Sequence, residues 1–276
     1  MIGAGDVKAT CPAGLAYVPP GTFTMGCDDK NKCDPDESPT HPVTLTHGTC
    51  WMPKGVTERQ IEERKKDHPG GAADSIATTC DIGAPGGAWN GIKRFFGLAP
   101  QLRTETCDMP VNKVTWFQAD AYCREIGMRL PTEAEREQAA RGPSGTDEYG
   151  TSTGKLTDDQ GKPLAQYGKW SLSDGRAVAG SFAPKVFGDQ KIYDLAGNLY
   201  EWVSDWHGTY PADAVIDPQG PKEGSYRVGR GGGWGDGGGG AALVLRAANR
   251  FYFFPDFGYF FFGLRCVGSS RDSFKK

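Results

Sequence analysis

Several features that would point to a particular class of protein are missing from the sequence. No apolar stretch reaches the length of about 18 residues that a transmembrane helix needs. The net charge is −3 with both signs mixed along the chain, so we expect neither nucleic acid nor anionic membranes as partners. The four histidines are scattered, and the cysteines lack the paired short spacings of a zinc site.

The glycine, proline and cysteine content indicates a loop-rich protein from an oxidising compartment. The chain has 276 residues with 40 Gly and 19 Pro, and its many aromatic residues favour a real core over disorder. Eight cysteines, an even number, favour disulfides over buried thiols. We therefore expect a protein at the cell surface or outside the cell.

The domain organisation is simple. No linker divides the chain, so we expect an N-terminal tail at residues 1–10 and a single domain at residues 11–270. The tail lacks the apolar core of a signal peptide. Small residues precede Cys11, so a lipid-modified cysteine is an alternative to a disulfide at this position.

The N-terminal half predicts a few short elements between long loops. Two strands flank the turn at Pro19-Pro20-Gly21, and residues 41–46 alternate apolar and polar as a third strand. Thr57 is placed to cap a helix, with Gln60 completing a capping box. Residues 68–109 contain few periodic signals and predict a long surface excursion.

Two further helices and two strands are predicted downstream. Thr115 and Thr132 are N-caps, the second with Glu135 in a capping box, and Gly127 and Gly142 mark the ends of the two helices. Residues 143–190 are predicted to be loop-rich, and strands are predicted at 225–230 and 263–267. In the helix capped by Thr115, the residues expected on the buried face are Phe117, Ala121 or Tyr122, and Ile126.

The C-terminal part of the chain has the most unusual composition. A glycine run follows Arg230, and seven of the 14 phenylalanines fall within residues 251–262. Neither helical nor strand periodicity produces such a run, because every face of either element would be apolar. Pro255, Asp256 and Gly258 interrupt it too often for one central strand. A buried strand and a flexible linker therefore explain the segment poorly.

The genetic code suggests an origin for both runs. Codons for Gly, Asp, Phe and Tyr are all reached from an asparagine codon, AAC or AAT, by replacing only adenines, and so are those for Leu243 and Val244. Lys, Glu, Gln and Met, which are not reached in this way, are missing from both runs. The pattern resembles the variable region of proteins diversified by retroelements, in which adenine-directed mutagenesis rewrites asparagine codons. We place this region at about residues 230–266.

Six ordered motifs between residues 15 and 267 resemble the formylglycine-generating enzyme family. They read G-T-F-T-M-G, H-P-V-T-L, V-T-W-x-x-A-x-A-Y-C-x-x-x-G-x-R-L-P-T-E-A-E, D-L-A-G-N-x-x-E-W, R-G-G-x-W and G-L-R-C. The resemblance implies an α+β, C-type-lectin-like fold with much irregular structure, and a disulfide between Cys123 and Cys266. Retroelement-diversified proteins use the same scaffold, so the two resemblances agree.

The resemblance also indicates which chemistry is absent. Formylglycine-generating enzymes bind copper(I) through two cysteines just after R-G-G-x-[WY], and these positions fall at or near Asp236 and Ala241. Copper(I) requires thiolate as a soft ligand, and neither an aspartate nor an alanine supplies one. We therefore expect no catalytic cofactor and no enzyme activity of this type.

A structural calcium site is a second implication of the resemblance. The family holds calcium at the G-N-x-x-E-W motif, which carries over to the Asp194 side chain, the Gly197 and Leu199 carbonyls and the Glu201 carboxylate. These hard oxygen donors suit calcium. The alternative is that the two carboxylates only hold loops by hydrogen bonds.

We interpret the chain as a non-catalytic, receptor-like or adhesin-like protein whose diversified surface binds an unknown protein or cell-surface ligand. Aromatic rings provide large contact area with few rotatable bonds, and glycine leaves space between them, as in antibody paratopes. The candidate binding residues are Gly233, Gly235, Asp236, Gly237, Gly238, Gly239, Phe251, Tyr252, Phe253, Phe254, Phe257, Gly258, Tyr259, Phe260, Phe261 and Phe262.

Two alternative functions stay open on the sequence alone. The first is an enzyme of the formylglycine-generating type with altered chemistry, which turnover of a Cys-containing sulfatase peptide would reveal. The second is a structural surface protein whose Phe run packs internally, which buried rings at residues 251–262 would indicate.

Overall fold

The computed structural model describes residues 11–80, 107–167, 175–236 and 241–270, which form short strands and helices joined by long irregular stretches. The strands are β1 Ala16–Val18, β2 Gly21–Met25, β3 His41–Leu45, β4 Thr49–Trp51, β5 Lys185–Phe187, β6 Gln190–Ile192, β7 Tyr200–Trp206, β8 Val215–Ile216, β9 Arg227–Arg230, β10 Phe251–Phe253, β11 Phe262–Gly263 and β12 Val267–Ser269. The helices are α1 Glu58–Asp67, α2 Trp116–Glu125, α3 Glu133–Arg141 and the short α4 Ala241–Val244. This architecture is the predicted α+β class.

A four-stranded sheet carries the C-terminal segment, with strand order β10-β9-β7-β11. Strand β9 is antiparallel to both β10 and β7, whereas β11 is parallel to β7. Two three-stranded sheets, β1-β4-β12 and β2-β3-β8, and the hairpin β5-β6 complete the strand pairing of the described residues. The strands that begin and end the aromatic run therefore lie on opposite edges of one sheet.

The three longer helices begin as the sequence predicts. The side chains of Thr57, Thr115 and Thr132 each accept a hydrogen bond from the backbone N–H three residues on. Each box is closed by the Gln or Glu side chain at that third position, which includes an unpredicted box at Thr115. A cap of this kind contributes about 1 kcal/mol.

The predicted buried face of α2 is correct at Tyr122 and wrong at Phe117. Phe117 is 54% exposed, and the side chains that pack inward are those of Trp116, Ala119 and Tyr122. The indole Nε1 of Trp116 donates to the Val203 carbonyl of β7 at 2.7 Å, which turns this position toward the sheet. Since successive helical residues lie about 100° apart, the neighbouring Phe117 then faces solvent.

One other prediction needs correction. Residues 263–267 do not form one strand, because Arg265 turns inward between β11 and β12 and donates to the Glu201 carboxylate. The described part of the stretch 143–190 is loop-rich as predicted, and the hairpin β5-β6 begins near its end. A long surface excursion was predicted at residues 68–109, and residues 81–106 of it lie outside the described part of the chain.

Four disulfides use all eight cysteines: Cys11–Cys50, Cys27–Cys33, Cys80–Cys107 and Cys123–Cys266. The last of these ties α2 to the chain just before β12, across 143 residues. Four disulfides indicate a secreted or extracellular protein. Because the Cys11 sulfur is bonded to Cys50, it is not free to carry a lipid. Within the described ranges, no helix is long and apolar enough to cross a membrane.

Candidate functional site

The aromatic run forms a loop that crosses one end of the four-stranded sheet. It leaves the sheet from edge strand β10, which pairs with β9, and returns to the opposite edge as β11. Because β9 and β7 lie between these two edges, residues 254–261 must pass across both. The chain topology therefore presents most of the aromatic run as one continuous loop.

Main-chain hydrogen bonds fix the path of this loop. The Pro255 carbonyl accepts from the Trp116 N–H at 2.9 Å, and the Tyr259 carbonyl accepts from the Lys113 N–H at 3.1 Å. The Phe260 carbonyl accepts from Asn112 Nδ2 at 2.6 Å. Because the accepting groups in the loop are all backbone carbonyls, they do not depend on which side chains the loop carries.

At Gly258, by contrast, the path of the loop does depend on the side chain. A Cβ at this position would lie 2.3 Å from the Lys113 carbonyl oxygen, a contact that only a backbone shift could relieve. Gly258 is exposed, as expected of a binding residue, but its neighbour restricts it to glycine on the observed backbone.

Four rings of the run face solvent and four are half-buried. The exposed fractions are 45% for Tyr252, 51% for Phe254, 63% for Phe257 and 44% for Phe260. The half-buried rings pack against the core, and they are Phe251, Phe253, Tyr259 and Phe261. Their centroids are spaced as in aromatic clusters, with Phe253 and Tyr259 at 4.4 Å. The rings of Phe257 and Phe260 pack on Tyr259 and Phe261, whereas Tyr252 and Phe254 pack on His207 and Tyr226 outside the run.

Phe262 is not part of the binding surface, so its assignment as a binding residue is wrong. Its side chain is fully buried, with ring centroids 4.0 Å from Trp202 and 5.4 Å from Tyr200. Pairing of β11 with β7 directs this position into the core, and the absence of a side chain at Gly229 makes room for the ring. Burial of this one ring does not support the alternative function, a structural surface protein whose whole Phe run packs internally.

The start of the glycine run is buried rather than exposed. Gly233 and Gly235 are inaccessible, and the Gly233 N–H donates to Asp236 Oδ2 at 2.6 Å. Asp236 is half-buried, and burial raises the pKa of its carboxyl group. Gly237, Gly238 and Gly239 lie outside the described residues. Only Asp236 of this group therefore contributes a partly accessible side chain to the described surface.

The segment between the glycine run and the aromatic run is held by buried ion pairs. Arg246 forms two hydrogen bonds to the Glu37 carboxylate, at 2.7 and 2.8 Å, and Asn249 donates to the same carboxylate at 3.0 Å. Arg250 donates to both oxygens of Glu133, at 2.7 and 2.9 Å. These bonds fix residues 246–250 directly before the aromatic run begins.

Arg230 and Glu137 complete this network. Arg230 donates to the Ala248 carbonyl at 2.7 Å and forms a buried ion pair with Glu137. Glu137 also accepts from the Gly26 N–H at 2.9 Å and from Arg141 Nε at 2.8 Å. Helix α3 therefore holds the residue before the glycine run and the residue before the aromatic run, through carboxylates four residues apart at positions 137 and 133.

Neither carboxylate is among the predicted site residues, although the spacing of the two was a usable signal. Glu133 and Glu137 share one face of α3, and charged residues on a buried face need partners. Burial would raise the pKa of Glu133, but Arg250 and Arg230 outweigh it and hold that pKa below its usual range. The carboxylate is therefore ionised in the core.

The residues of the expected calcium site lie around one small cavity. Asp194, Leu199 and Glu201 line it together with Asn198, and its volume is about 10 Å³. A cavity of this size holds roughly one water-sized sphere. Gly197 lies between Asp194 and Asn198 in the sequence, does not line the cavity and has a positive φ of 75°.

The two carboxylates at this cavity differ in their charge partners. Glu201 Oε2 accepts from Arg136 Nε at 2.7 Å, and Oε1 accepts from Arg265 Nε at 2.9 Å. Asp194 Oδ2 accepts only the Gly180 N–H among the bonds of the described residues, at 2.7 Å. Burial raises the pKa of Asp194. A cation here would mainly compensate Asp194, since two guanidinium groups already neutralise Glu201.

Sequence comparisons place these features among known proteins. The model of the sulfatase-modifying factor enzyme 1-like domain matches residues 5–270. The formylglycine-generating enzyme of Thermomonospora curvata is 34% identical over 257 residues, which cover 79% of this chain and 82% of that enzyme. The formylglycine-generating enzyme of Mus musculus is 28% identical over 255 residues, covering 80% and 66%.

Solved structures share the same architecture. PvdO from Pseudomonas aeruginosa superimposes with a TM-score of 0.66 at 25% identity, covering 92% of this chain and 94% of that one. Treponema denticola variable protein 1 has the same TM-score and coverage at 21% identity, a level that shows the shared fold alone. The predicted fold of the formylglycine-generating-enzyme type is confirmed.

Proposed function

The chain belongs to the family of sulfatase-modifying factor enzyme 1-like domains, and on that premise we propose that it is a non-catalytic ligand-binding protein. Residues 230–266 supply the recognition surface, and a retroelement diversifies them to change specificity. One observation carries the proposal: the exposed rings lie on strand β10 and on the loop that follows it, and main-chain bonds hold both in place. The ligand is a protein or another cell-surface molecule, met at the cell surface or outside the cell.

The chemistry of the exposed rings supports binding. Tyr252, Phe254, Phe257 and Phe260 leave apolar surface in water, which costs free energy unless a partner covers it. Neighbouring rings restrict their motion, so little conformational entropy is lost when a ligand binds. Such rigid aromatic anchors are typical of antibody paratopes.

The main-chain anchoring of the loop also supports the proposed diversification. Exchange of the side chain at position 252, 254, 257 or 260 leaves the main-chain anchors of the loop intact. We expect the genome to carry a near-copy of this segment, with adenines wherever the two copies differ, beside a reverse-transcriptase gene. Sequencing the neighbouring DNA tests this, and the absence of any such copy would contradict the proposed diversification.

Removal of the outer rings should abolish most binding without unfolding the protein. Short peptides selected on the immobilised wild-type chain from a phage-displayed library should bind a variant with Tyr252, Phe254, Phe257 and Phe260 all changed to Ala at least ~tenfold more weakly. The reason is that central aromatic residues contribute most of the binding energy of an interface. Surface plasmon resonance measures the change in Kd.

The matched control for this experiment is Val186→Ala, which removes an exposed apolar side chain from β5, outside the aromatic run. We expect the selected peptides to bind this variant as they bind the wild type. Equal binding to the four-ring variant and the wild type would show that the aromatic loop is not the recognition surface.

An oxidase of the formylglycine-generating type is the second candidate, which the Thermomonospora curvata relative favours. Against it, the positions expected to hold the copper ligands fall at or near Asp236 and Ala241, and no cysteine lies between residues 123 and 266. All eight cysteines are in disulfides, so the chain has no thiolate for copper(I). An oxidase assay on a Cys-containing sulfatase peptide decides between the two, since turnover would contradict a purely binding function.

We also propose a structural calcium ion held by Asp194, Glu201 and the Gly197 and Leu199 carbonyls. Excess calcium should raise Tm, by about 2–4 °C for each kcal/mol of stabilisation in a domain of this size. The variant Asp194→Asn should lose this increase, because the buried carboxylate that a cation would compensate is gone. Differential scanning calorimetry with and without calcium measures both.

Asp213→Asn, which changes an exposed carboxylate, is the matched control for the calcium experiment. It should keep the full increase in Tm. An equal increase in the wild type and in Asp194→Asn would place calcium elsewhere, and no increase in the wild type would exclude a stabilising calcium site.

A further inference from the structure

A separate cavity of about 400 Å³ lies between the start of α3, the end of β7 and the loop after β7. None of the residues at 251–262 lines it, so it is distinct from the aromatic surface. Its volume falls within the range of about 300–1,000 Å³ that is typical of small-molecule pockets. The family resemblance assigns no role to this cavity.

One wall of the cavity is apolar. Tyr210, Pro211, Val215, Pro218 and Pro221 all line it. Most of these side chains are rigid, so a ligand that covers them loses little of its binding energy to ordering the protein. This wall fits an aliphatic or aromatic body of about ten heavy atoms.

The polar floor of the cavity contains Asp205, a residue that is only 3% exposed to solvent. Its Oδ2 atom accepts the Glu133 N–H at 2.8 Å and the Ser204 hydroxyl at 2.9 Å. No hydrogen bond reaches Oδ1 and no salt bridge reaches the carboxyl group from any described residue. A buried carboxylate with a free oxygen requires a partner.

The cations near Asp205 are committed elsewhere. Arg250 lines the cavity, but its guanidinium binds both oxygens of Glu133 and the carbonyls of Asp36 and Gly208. Tyr210 also donates to Glu133, at 3.1 Å. The floor therefore offers an acceptor rather than a donor to an incoming group, which favours a cationic ligand over an anionic one.

The charged surroundings of Asp205 agree with this assignment. Burial, and secondarily the Glu133 carboxylate, raise the pKa of Asp205 to about 7, and Glu135 acts in the same direction. Arg129 and Arg227 are the cations that interact with it from a distance, and His41 is the remaining titratable group on the cavity wall. An ammonium group beside Oδ1 would favour the ionised carboxylate.

We propose that this cavity binds a small organic amine. The ammonium donates to Asp205 Oδ1, and the apolar body packs against Tyr210 and the surrounding prolines. The site works independently of the aromatic surface, so the same scaffold carries one fixed pocket beside one variable surface.

Phenethylamine and its neutral isostere 2-phenylethanol are suitable probes for isothermal titration calorimetry. At pH 8 we expect the amine to bind one site per chain at least ~tenfold more tightly than the alcohol, because charge-assisted hydrogen bonds are the stronger ones. Between pH 8 and pH 6 the affinity for the amine should fall about tenfold, since Asp205, with a pKa of about 7, takes up a proton while the amine stays charged.

Asp205→Asn should remove both the preference for the amine and its pH dependence, while Asp213→Asn and the four-ring variant should keep them. The comparison of amine with alcohol on the wild-type protein needs no variant, so it stands even if Asp205→Asn folds poorly. Equal affinity for the two probes, absence of amine binding, or an unchanged preference in a folded Asp205→Asn protein would each overturn the proposal.

Discussion

Replacing Phe262 with alanine is expected to lower the free energy of unfolding by about 3–5 kcal/mol, the range for truncating a large ring in a core. The ring is fully buried between Trp202 and Tyr200, and strand pairing on β7 leaves little freedom for the surroundings to collapse. Chemical denaturation measures the loss as a shift in the midpoint at an unchanged slope.

Phe257→Ala is the matched control, with the same change made five residues earlier in the same run. Phe257 is 63% exposed, so its loss should alter the free energy of unfolding by less than about 0.5 kcal/mol. If the two variants lose similar stability, the division of the run into a buried and an exposed part would be incorrect.

Replacing Glu137 with glutamine is expected to cost about 3–5 kcal/mol, because it leaves a buried charge without its partner. Glu137 pairs with Arg230 and Arg141, and its side chain is fully buried. A neutral amide cannot compensate two guanidinium groups, and its NH₂ group would point a donor toward another donor. Thermal and chemical unfolding of the variant measure the effect.

Glu223→Gln serves as the control for this substitution, since residue 223 is exposed on a loop. Its free energy of unfolding should match that of the wild type. The Glu137 variant should also weaken the selected peptides, because Arg230 positions the carbonyls of Ala248 and Asn249 just before the loop. Wild-type stability of Glu137→Gln would show that the buried pair contributes nothing to this fold.

The sequence was most informative where the signals are local. The capping boxes at Thr57 and Thr132 involve residues three apart, so the chain near each helix start contains the whole interaction. The motif series predicted the fold because it samples nearly the entire chain. The exposed rings at Tyr252, Phe254 and Phe257 were likewise predicted by a composition that packing alone does not explain.

What could not be predicted depends on contacts between distant residues. Phe262 and Phe260 are the same residue type, and only the pairing of β11 with β7 separates a buried ring from an exposed one. The rotation of α2 is set by a bond from Trp116 to Val203, 87 residues away. The ion pair of Arg246 with Glu37 spans 209 residues and leaves no periodic signal in the sequence.

The main-chain anchors of the aromatic loop have a practical consequence for protein engineering. Since backbone carbonyls at Pro255, Tyr259 and Phe260 set its course, one backbone can display many side-chain combinations. A synthetic library that randomises positions 252, 254, 257 and 260 and retains Gly258 and Phe262 would change specificity while its members keep similar melting temperatures. Four disulfides would suit such reagents to use in serum or culture medium.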